Sequence, residues 1–295
     1  MALRPGTHGY ADNLVITART VDRCRVCRPA EVVWLARTPD GPRPAPAVQT
    51  LRIRYAKRGR LRFTSHRDFQ RALERALRRA DVPMAYSGGF TPHPKVSYAN
   101  ASPTGAASEA EYLEISLTRP CEPAAVARVL DAALPPGLDI VEVVEARSGV
   151  LADRLTGGRW EIVVPGIDIG AATLAVRALL DRETFEVERL TRNGRRRLDA
   201  RDAVVVLDVV PRGAEASALG RAARAAGQPC AILHLVVRHA TPAIRPDDVL
   251  TALRAVADLA PASPPQVTRL AQGPLDEVEG TVADPLAADR DVAGA

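Results

Sequence analysis

The segment from Tyr86 to Lys95 reads Tyr-Ser-Gly-Gly-Phe-Thr-Pro-His-Pro-Lys and brings together residue types that bind ligands. Paired glycines let the backbone approach a ligand closely or adopt a positive φ. Prolines on both sides of His93 restrict the chain, so the imidazole is held on a rigid arm. Tyr86 and Phe90 offer rings on which a base can stack. We therefore predict a ligand-facing loop, with the candidate site residues Tyr86, Ser87, Gly89, Phe90, Pro92, His93 and Lys95.

A predicted helix over residues 67–80 divides its side chains between two faces. One face is apolar and is expected to pack on a sheet. The other carries five arginines, and like charges four residues apart repel one another. A solvated surface helix is the simpler explanation, but uncompensated repulsion favours an anionic partner. The candidates are Arg71, Arg75 and Arg79, with Lys57 from the preceding strand.

The residues just before this helix have two possible roles. Ser65 is expected to cap the helix, with Asp68 in the acidic position of a capping box. The alternative is an enzyme in which His66 or His93 is the general acid or base and Asp68 or Glu111 is its carboxylate partner. Ser65, His66, Asp68 and Glu111 are therefore candidate site residues as well.

The predicted strands and helices of the chain form two blocks, and the first block carries the candidate residues. Both blocks have the same predicted order, strand–helix–strand–strand–helix–strand. In the second block these are strands over 160–165, 185–191, 203–210 and 231–238 and helices over 170–182 and 214–226. This order predicts an α+β fold of two tandem ferredoxin-like (split βαβ) domains, at 51–147 and 158–272. A Pro-rich leader (1–50) and an acidic tail (273–295) are expected to be disordered.

Charge is concentrated in one part of the chain. Residues 51–100 hold twelve Lys and Arg against three acids, a net of +9 within a total of +5. Such a block is expected to meet an anionic partner. No apolar run reaches the roughly 20 residues of a membrane span. The spacing of the four cysteines is not that of a disulfide framework, which indicates a cytoplasmic protein.

The sequence offers little for a metal or cofactor. Cys24 and Cys27 form one pair, where a zinc site needs two more ligands and an iron–sulfur cluster needs further cysteines. Loops that bind phosphates or dinucleotides and motifs of zinc proteases or serine hydrolases are missing. We expect no cofactor and no metal.

The basic block resembles the radical SAM-linked proteins, a family found beside or fused to radical S-adenosylmethionine proteins and without an established activity of its own. The resemblance covers about residues 51–272. It rests on Arg54–Lys57, Gly59–His66, Asp68, Arg71, Arg75–Ala80, Pro83, Tyr86-Ser87, Gly89-Phe90, Pro92–Lys95, Gly105, Ser108 and Glu111-Tyr112. It implies a radical SAM protein as partner.

Three functions remain open from these residues. The leading hypothesis is an accessory or substrate-binding subunit that binds transfer or ribosomal RNA for a radical SAM enzyme, with arginines on phosphates and aromatic rings on unpaired bases. The second is an enzyme that uses the histidine–carboxylate pairs named above. The third is a protein-interaction module whose arginines dock on acidic helices.

Overall fold

The computed structural model describes residues 45–88, 91–147, 149–191, 194–211 and 213–290, together with two short strands nearer the N-terminus. The chain divides into two compact units, Met1–Ala45 with Tyr86–His93 and Pro46–Ala85 with Pro94–Ala295. In the first unit, β1 (Arg19–Thr20) pairs antiparallel with β2 (Glu31–Val32). The other residues of the predicted leader up to 44 lie outside the described residues.

The second unit is built from strands and helices in a mixed order. Its strands are β3 (Gln49–Lys57), β4 (Val96–Ala99), β5 (Ala107–Leu117), β6 (Leu138–Glu145), β7 (Gly157–Pro165), β8 (Glu186–Thr191), β9 (Gly194–Asp199), β10 (Val204–Val209), β11 (Cys230–Arg238), β12 (Gln266–Gly273), β13 (Leu275–Asp276) and β14 (Thr281–Val282). Because β3 begins at Gln49, the last two residues of the predicted leader belong to the fold.

Seven α-helices are present in the described part of the chain. They are α1 (His66–Arg79), α2 (Pro123–Ala133), α3 (Leu151–Arg154), α4 (Ile169–Leu180), α5 (Ala218–Ala225), α6 (Pro246–Ala257) and α7 (Ala287–Arg290), and a 3-10 helix at Gly59–Phe63 precedes α1. Local signals start several of them. Asp168 and Ser217 cap α4 and α5 through their side chains, and proline occupies the first turn of α2 and α6, where its missing N–H costs nothing.

One eight-stranded sheet organises this unit, in the order β10-β11-β7-β12-β5-β3-β6, with β4 also paired to β5. All neighbouring pairs are antiparallel except β12 and β5, which pair in parallel with Thr268 opposite Ala107 and Arg269 opposite Ser108. The sheet is therefore mixed, and the fold is α+β. The parallel pair joins the strands of the basic block to those that follow residue 157.

Two large hydrophobic cores pack on the sheet. The first lies under α1 and α2 and includes Phe69, Leu73, Leu113 and Leu130. The second lies under α4 and α6 and includes residues of β7, β10 and β11. Fully buried leucine and isoleucine side chains each contribute roughly 1.5–3 kcal/mol, so these cores hold the helices at fixed places on the sheet.

The strands that the second block contributes to the large sheet differ from the predicted ones. The segment predicted at 185–191 does not enter the large sheet, because β8 pairs with β9 in a separate hairpin. The strand that borders β7 instead is β12, which is not among the four strands predicted for the second block. The helix at 218–225 is shorter than predicted. The sequence also predicts a tight hairpin turn at the Asn-Gly dipeptide 193–194, and residue 193 lies outside the described residues.

The prediction of a disordered tail after Gln272 is wrong for residues 273–290. This segment forms β13, β14 and α7, and the side chains of Leu286 and Asp289 are buried. Its acidic, Ala-rich composition is typical of disorder, but the buried Asp289 binds arginines that lie far away in the sequence. Residues 291–295 lie outside the described residues.

Candidate functional site

Helix α1 separates apolar and charged residues as its sequence predicts. Phe69, Leu73, Ala76 and Leu77 are buried, and the ring of Phe69 stacks on Tyr55 of β3 with centroids 4.3 Å apart. The five arginines of the opposite side are all exposed. We call this surface the arginine face; it consists of Arg67, Arg71, Arg75, Arg78 and Arg79.

The arginine face has little internal charge compensation. Its one ion pair among the described residues joins Arg71 to Asp68 at 3.7 Å, with both side chains 61 % exposed, so it contributes little. Arg78 donates to the carbonyl of Glu74, and Arg79 donates to the carbonyl of Ala133 at 3.1 Å. The Arg75 side chain has no hydrogen-bond or ion-pair partner in the described part of the chain. The face therefore presents a row of cations with open donors.

The N-terminus of α1 is capped as predicted. The Ser65 hydroxyl accepts from the Asp68 backbone N–H at 3.2 Å and donates to the Asp68 carboxylate at 2.7 Å. The His66 ring instead lies 3.1 Å from the Gln70 amide and meets Tyr98 edge-on. Among the described residues no hydrogen bond joins His66 to Asp68, so this predicted acid–base pair is not assembled.

Lys57 and Glu111 lie in the interior rather than on this surface. They meet Arg269 of β12 at the parallel junction of the sheet, and each of the three side chains is at most 5 % exposed. Glu111 accepts from the Ser102 backbone N–H at 3.0 Å and lies 3.4 Å from the Arg269 guanidinium, which stacks over Trp160. We call these residues the junction cluster: Lys57, Ser102, Glu111, Trp160 and Arg269.

The junction cluster is incompletely paired. Within the described residues, buried atoms without a hydrogen-bond partner include Ser102 Oγ, Glu111 Oε1 and Arg269 Nε. Burial lowers the pKa of the Lys57 ammonium; the Glu111 carboxylate opposes this shift and Arg269 adds to it. Such an amine releases its proton more readily than a free lysine. Because it is only 5 % exposed, it meets no solvent-borne substrate in this conformation.

The remaining loop candidates lie in the first unit, with the exception of Lys95, which is exposed in the second. Ser87 and His93 close the loop through their backbones. The Ser87 N–H donates to the His93 carbonyl at 2.8 Å, and the His93 N–H donates to the Ser87 hydroxyl at 3.0 Å. The side chains of His93 and Pro92 are exposed, and Tyr86 is 38 % exposed. Gly89 and Phe90 lie outside the described residues.

Two residues that sequence reasoning missed are prominent in the structure. Phe63 follows two arginines of the 3-10 helix and is 59 % exposed. The signal for Phe63 was an aromatic residue outside any periodic apolar pattern, two residues before the helix cap Ser65. Arg269 stands on β12 directly after the buried residues Val267 and Thr268, and a charged residue in such a strand was its signal.

The described residues contain no group of three or more His, Cys, Asp or Glu side chains placed to hold a metal ion. The predicted pair Cys24 and Cys27 lies outside the described residues. None of the helices in the described part of the chain combines the length and the apolar character needed to cross a membrane.

Comparison with known proteins places the chain in a family whose function is open. The chain belongs to the family described as "uncharacterized protein conserved in bacteria" (DUF2344), whose model matches residues 50–246. No curated protein matches it. Among solved structures, the chain is similar to an encapsulated DyP-type peroxidase from Mycobacterium smegmatis, seen by cryo-EM. The identity is 11 %, the match covers 79 % of this chain and 94 % of that chain, and the TM-score is 0.20. A TM-score this low carries no argument about fold or activity.

Proposed function

We propose that this protein is an RNA-binding accessory subunit of a radical SAM enzyme that modifies transfer or ribosomal RNA. The observation that carries the RNA-binding part is the arginine face of α1. It is exposed, it is held rigidly on the sheet by the buried side of the same helix, and it has one weak internal ion pair. The loop at 86–95 is proposed as a further contact on the strength of its sequence.

The spacing of the arginines suits a phosphate backbone. Residues four apart on a helix are separated by about 6 Å along its axis and lie on nearly the same side. Arg67, Arg71 and Arg75 therefore form a line of cations, and each can neutralise one phosphate and release counterions. Guanidinium groups also bind phosphate in a forked geometry that lysine lacks. An acidic protein helix would meet the same charges, and the experiment below separates the two partners.

The affinity of the protein for single-stranded RNA tests this proposal. A labelled RNA of about 12 nucleotides is titrated by fluorescence anisotropy at about 50 and 200 mM salt. Arg71, Arg75 and Arg79 are replaced together by Gln. Exposed ionic contacts are worth about 0.2–1 kcal/mol each, so we expect the loss of three to weaken binding roughly 3- to 140-fold. The slope of log affinity against log salt should become shallower by about 2.

A matched control removes the same charge elsewhere. Arg177, Arg182 and Arg254 are exposed and have no ion pair among the described residues, so their triple replacement by Gln should leave RNA binding within about twofold. Both triple variants should melt like the wild type. Unchanged RNA affinity in the folded α1 variant would refute RNA binding by the arginine face. If the same variant lost a protein partner instead, the interaction-module hypothesis would replace it.

The radical SAM partner rests on the resemblance of residues 54–112 to the radical SAM-linked proteins. Affinity purification from native cells, followed by mass spectrometry and sequencing of retained RNA, tests it directly. We expect a protein with three clustered cysteines, as a [4Fe–4S] site of this class requires. Repeated recovery of RNA without such a protein would leave RNA binding and remove the partner. We also propose a cytoplasmic location, which the sparse cysteines support.

We further propose that the large sheet consists of two ferredoxin-like halves. The first has the strand order β6-β3-β5-β4 and the second β12-β7-β11-β10, so both halves follow the pattern 4-1-3-2. In each, one helix follows the first strand and another precedes the fourth, as in a split βαβ unit. The hairpin β8–β9 and helix α5 are then insertions in the second half. An experimental structure with a different strand order would refute this.

A further inference from the structure

A small cavity opens beside the 3-10 helix that precedes α1. Its volume is about 220 Å³, and its walls come from Arg62 and Phe63, from the loop 103–106, from Pro246 and Asp247 at the start of α6, and from Gln266 and Val267 of β12. Sites for drug-sized ligands measure roughly 300–1,000 Å³. This cavity is smaller and suits one flat ring rather than a whole cofactor.

The aromatic wall of the cavity is only partly covered. Phe63 is 59 % exposed, and the Arg62 guanidinium lies over its ring, 4.8 Å from the centroid. The loop is fixed beside it, because the Gly105 N–H donates to the Arg62 carbonyl at 2.8 Å. An aromatic ring that is open to solvent is a stacking platform of the kind that single-stranded nucleic acids use.

The polar atoms of the cavity suit a base better than a phosphate. Arg62 Nε is buried and has no hydrogen-bond partner among the described residues, and its Nη1 makes only a long 3.4 Å contact to Gln266. Asp247 also lines the cavity and is exposed. A carboxylate repels phosphate but accepts from the amino groups of a base, and Arg62 supplies a donor. Together, Arg62 and Asp247 offer a hydrogen-bond donor and a hydrogen-bond acceptor to the edge of one base.

The cavity also lies next to the start of the arginine face. Phe63 stands two residues before Ser65, which caps α1, so the cavity adjoins the start of the arginine face. Asp248, which follows the wall residue Asp247, accepts from Arg189 of β8 at 3.0 Å, and this pair anchors the hairpin β8–β9 to the start of α6. The exposed Arg196 of that hairpin has no ion pair among the described residues. An RNA strand that follows the arginine face would reach the cavity at the N-terminal end of α1.

We propose that this cavity receives one unstacked base of the single-stranded RNA that the arginine face holds, with Phe63 stacking on the base and Arg62 and Asp247 binding its edge. The inference rests on the proposed RNA-binding function and adds to it the subsite where a base is read. It identifies Phe63 as a binding residue.

The test compares Phe63→Ala with Phe63→Trp on the full chain. The probe is a single-stranded RNA of about 12 nucleotides in which one position carries the fluorescent base 2-aminopurine. Stacking of one base on an aromatic side chain corresponds to a roughly 5- to 140-fold change in affinity, so Phe63→Ala should weaken binding within this range. The salt slope should stay unchanged, because no phosphate contact is lost. Phe63→Trp should retain affinity and quench 2-aminopurine as the wild type does.

Two controls separate the outcomes. Leu174→Ala removes another exposed apolar side chain, 69 % exposed, and should have no effect on binding. An RNA with abasic residues should bind the wild type and Phe63→Ala equally. If Phe63→Ala binds the normal RNA within twofold of the wild type while the α1 triple variant is weak, the base subsite is wrong and the RNA proposal stands. If only Phe63→Ala is weak, the cavity binds RNA and the arginine face does not. Unchanged binding in both variants refutes both proposals.

Discussion

Replacement of Asp289 by Ala should destabilise the protein strongly, although the sequence places this residue in a segment that reads as disordered. The Asp289 side chain is 0 % exposed. Both of its oxygens lie 2.8 Å from Arg52 Nη1, one accepts from Arg154 at 2.8 Å, and one accepts from the Arg147 backbone N–H at 3.1 Å. One carboxylate therefore compensates two guanidinium groups.

The size of the effect follows from what remains after truncation. Removing one partner of a buried ion pair costs roughly 3–5 kcal/mol, because the other charge stays buried. Arg52 would keep Glu114 at 2.9 Å and the Gly149 carbonyl, so we expect the lower end, about 3 kcal/mol. For a chain of this size, that corresponds to a fall in Tm of about 6–12 °C.

The same residue predicts a pH dependence. Burial raises the pKa of Asp289, but hydrogen bonds from Arg52, the Arg147 backbone and Arg154 outweigh it, and the pKa is held below 3.8. A carboxyl whose pKa is lowered by folding stabilises the protein above its unfolded pKa, and the contribution is lost as the pH falls through the folded pKa. The stability difference between wild type and Asp289→Ala should therefore be constant above pH ~5 and shrink below pH ~4.

Urea unfolding, followed by circular dichroism at several pH values, measures both effects. Asp153→Ala is the matched control, because Asp153 is exposed and its side chain makes no hydrogen bond or ion pair among the described residues. It should change stability by less than about 0.5 kcal/mol. An Asp289→Ala variant as stable as the control would show that α7 does not dock on Arg52, and the original expectation of a disordered tail would return.

Two further predictions concern the junction cluster and the loop. Lys57→Met should remove a rise of stability with pH. Between the lowered folded pKa of Lys57 and its unfolded value of 10.5, the unfolded chain binds more protons than the folded one. The free energy of unfolding of the wild type should therefore increase with pH relative to that of the variant in this window. If the free energies of unfolding of wild type and Lys57→Met change equally between pH 7 and 10.5, burial does not lower the pKa of the Lys57 ammonium. His93→Ala should change stability by less than about 1 kcal/mol, because its contacts to Ser87 come from the backbone, and should lower RNA affinity. Strong destabilisation in a denaturant melt would make His93 a structural residue, and full RNA affinity would remove it from the site.

Much of the candidate surface could be predicted from sequence because its causes are local. The burial of Phe69 and Leu73 and the exposure of the arginines follow from the 3.6-residue period of one helix. The Ser65 cap depends on two residues three apart. These relations lie within a window of about 15 residues, so the sequence determined that α1 is amphipathic, where it begins, and which side carries the charge.

The tertiary structure decided which distant segments meet. β12 joins β7 and β5 at the sheet junction, and only this pairing brings Arg269 to Glu111 and Lys57, which then lie buried instead of on the binding surface. The tail likewise folds because Asp289 meets Arg52, 237 residues earlier in the chain. The composition of the tail records only how many apolar residues this segment contains, not which distant residues it contacts. The free energy that orders these residues comes from pairing charges that folding brings together, and no local period records it.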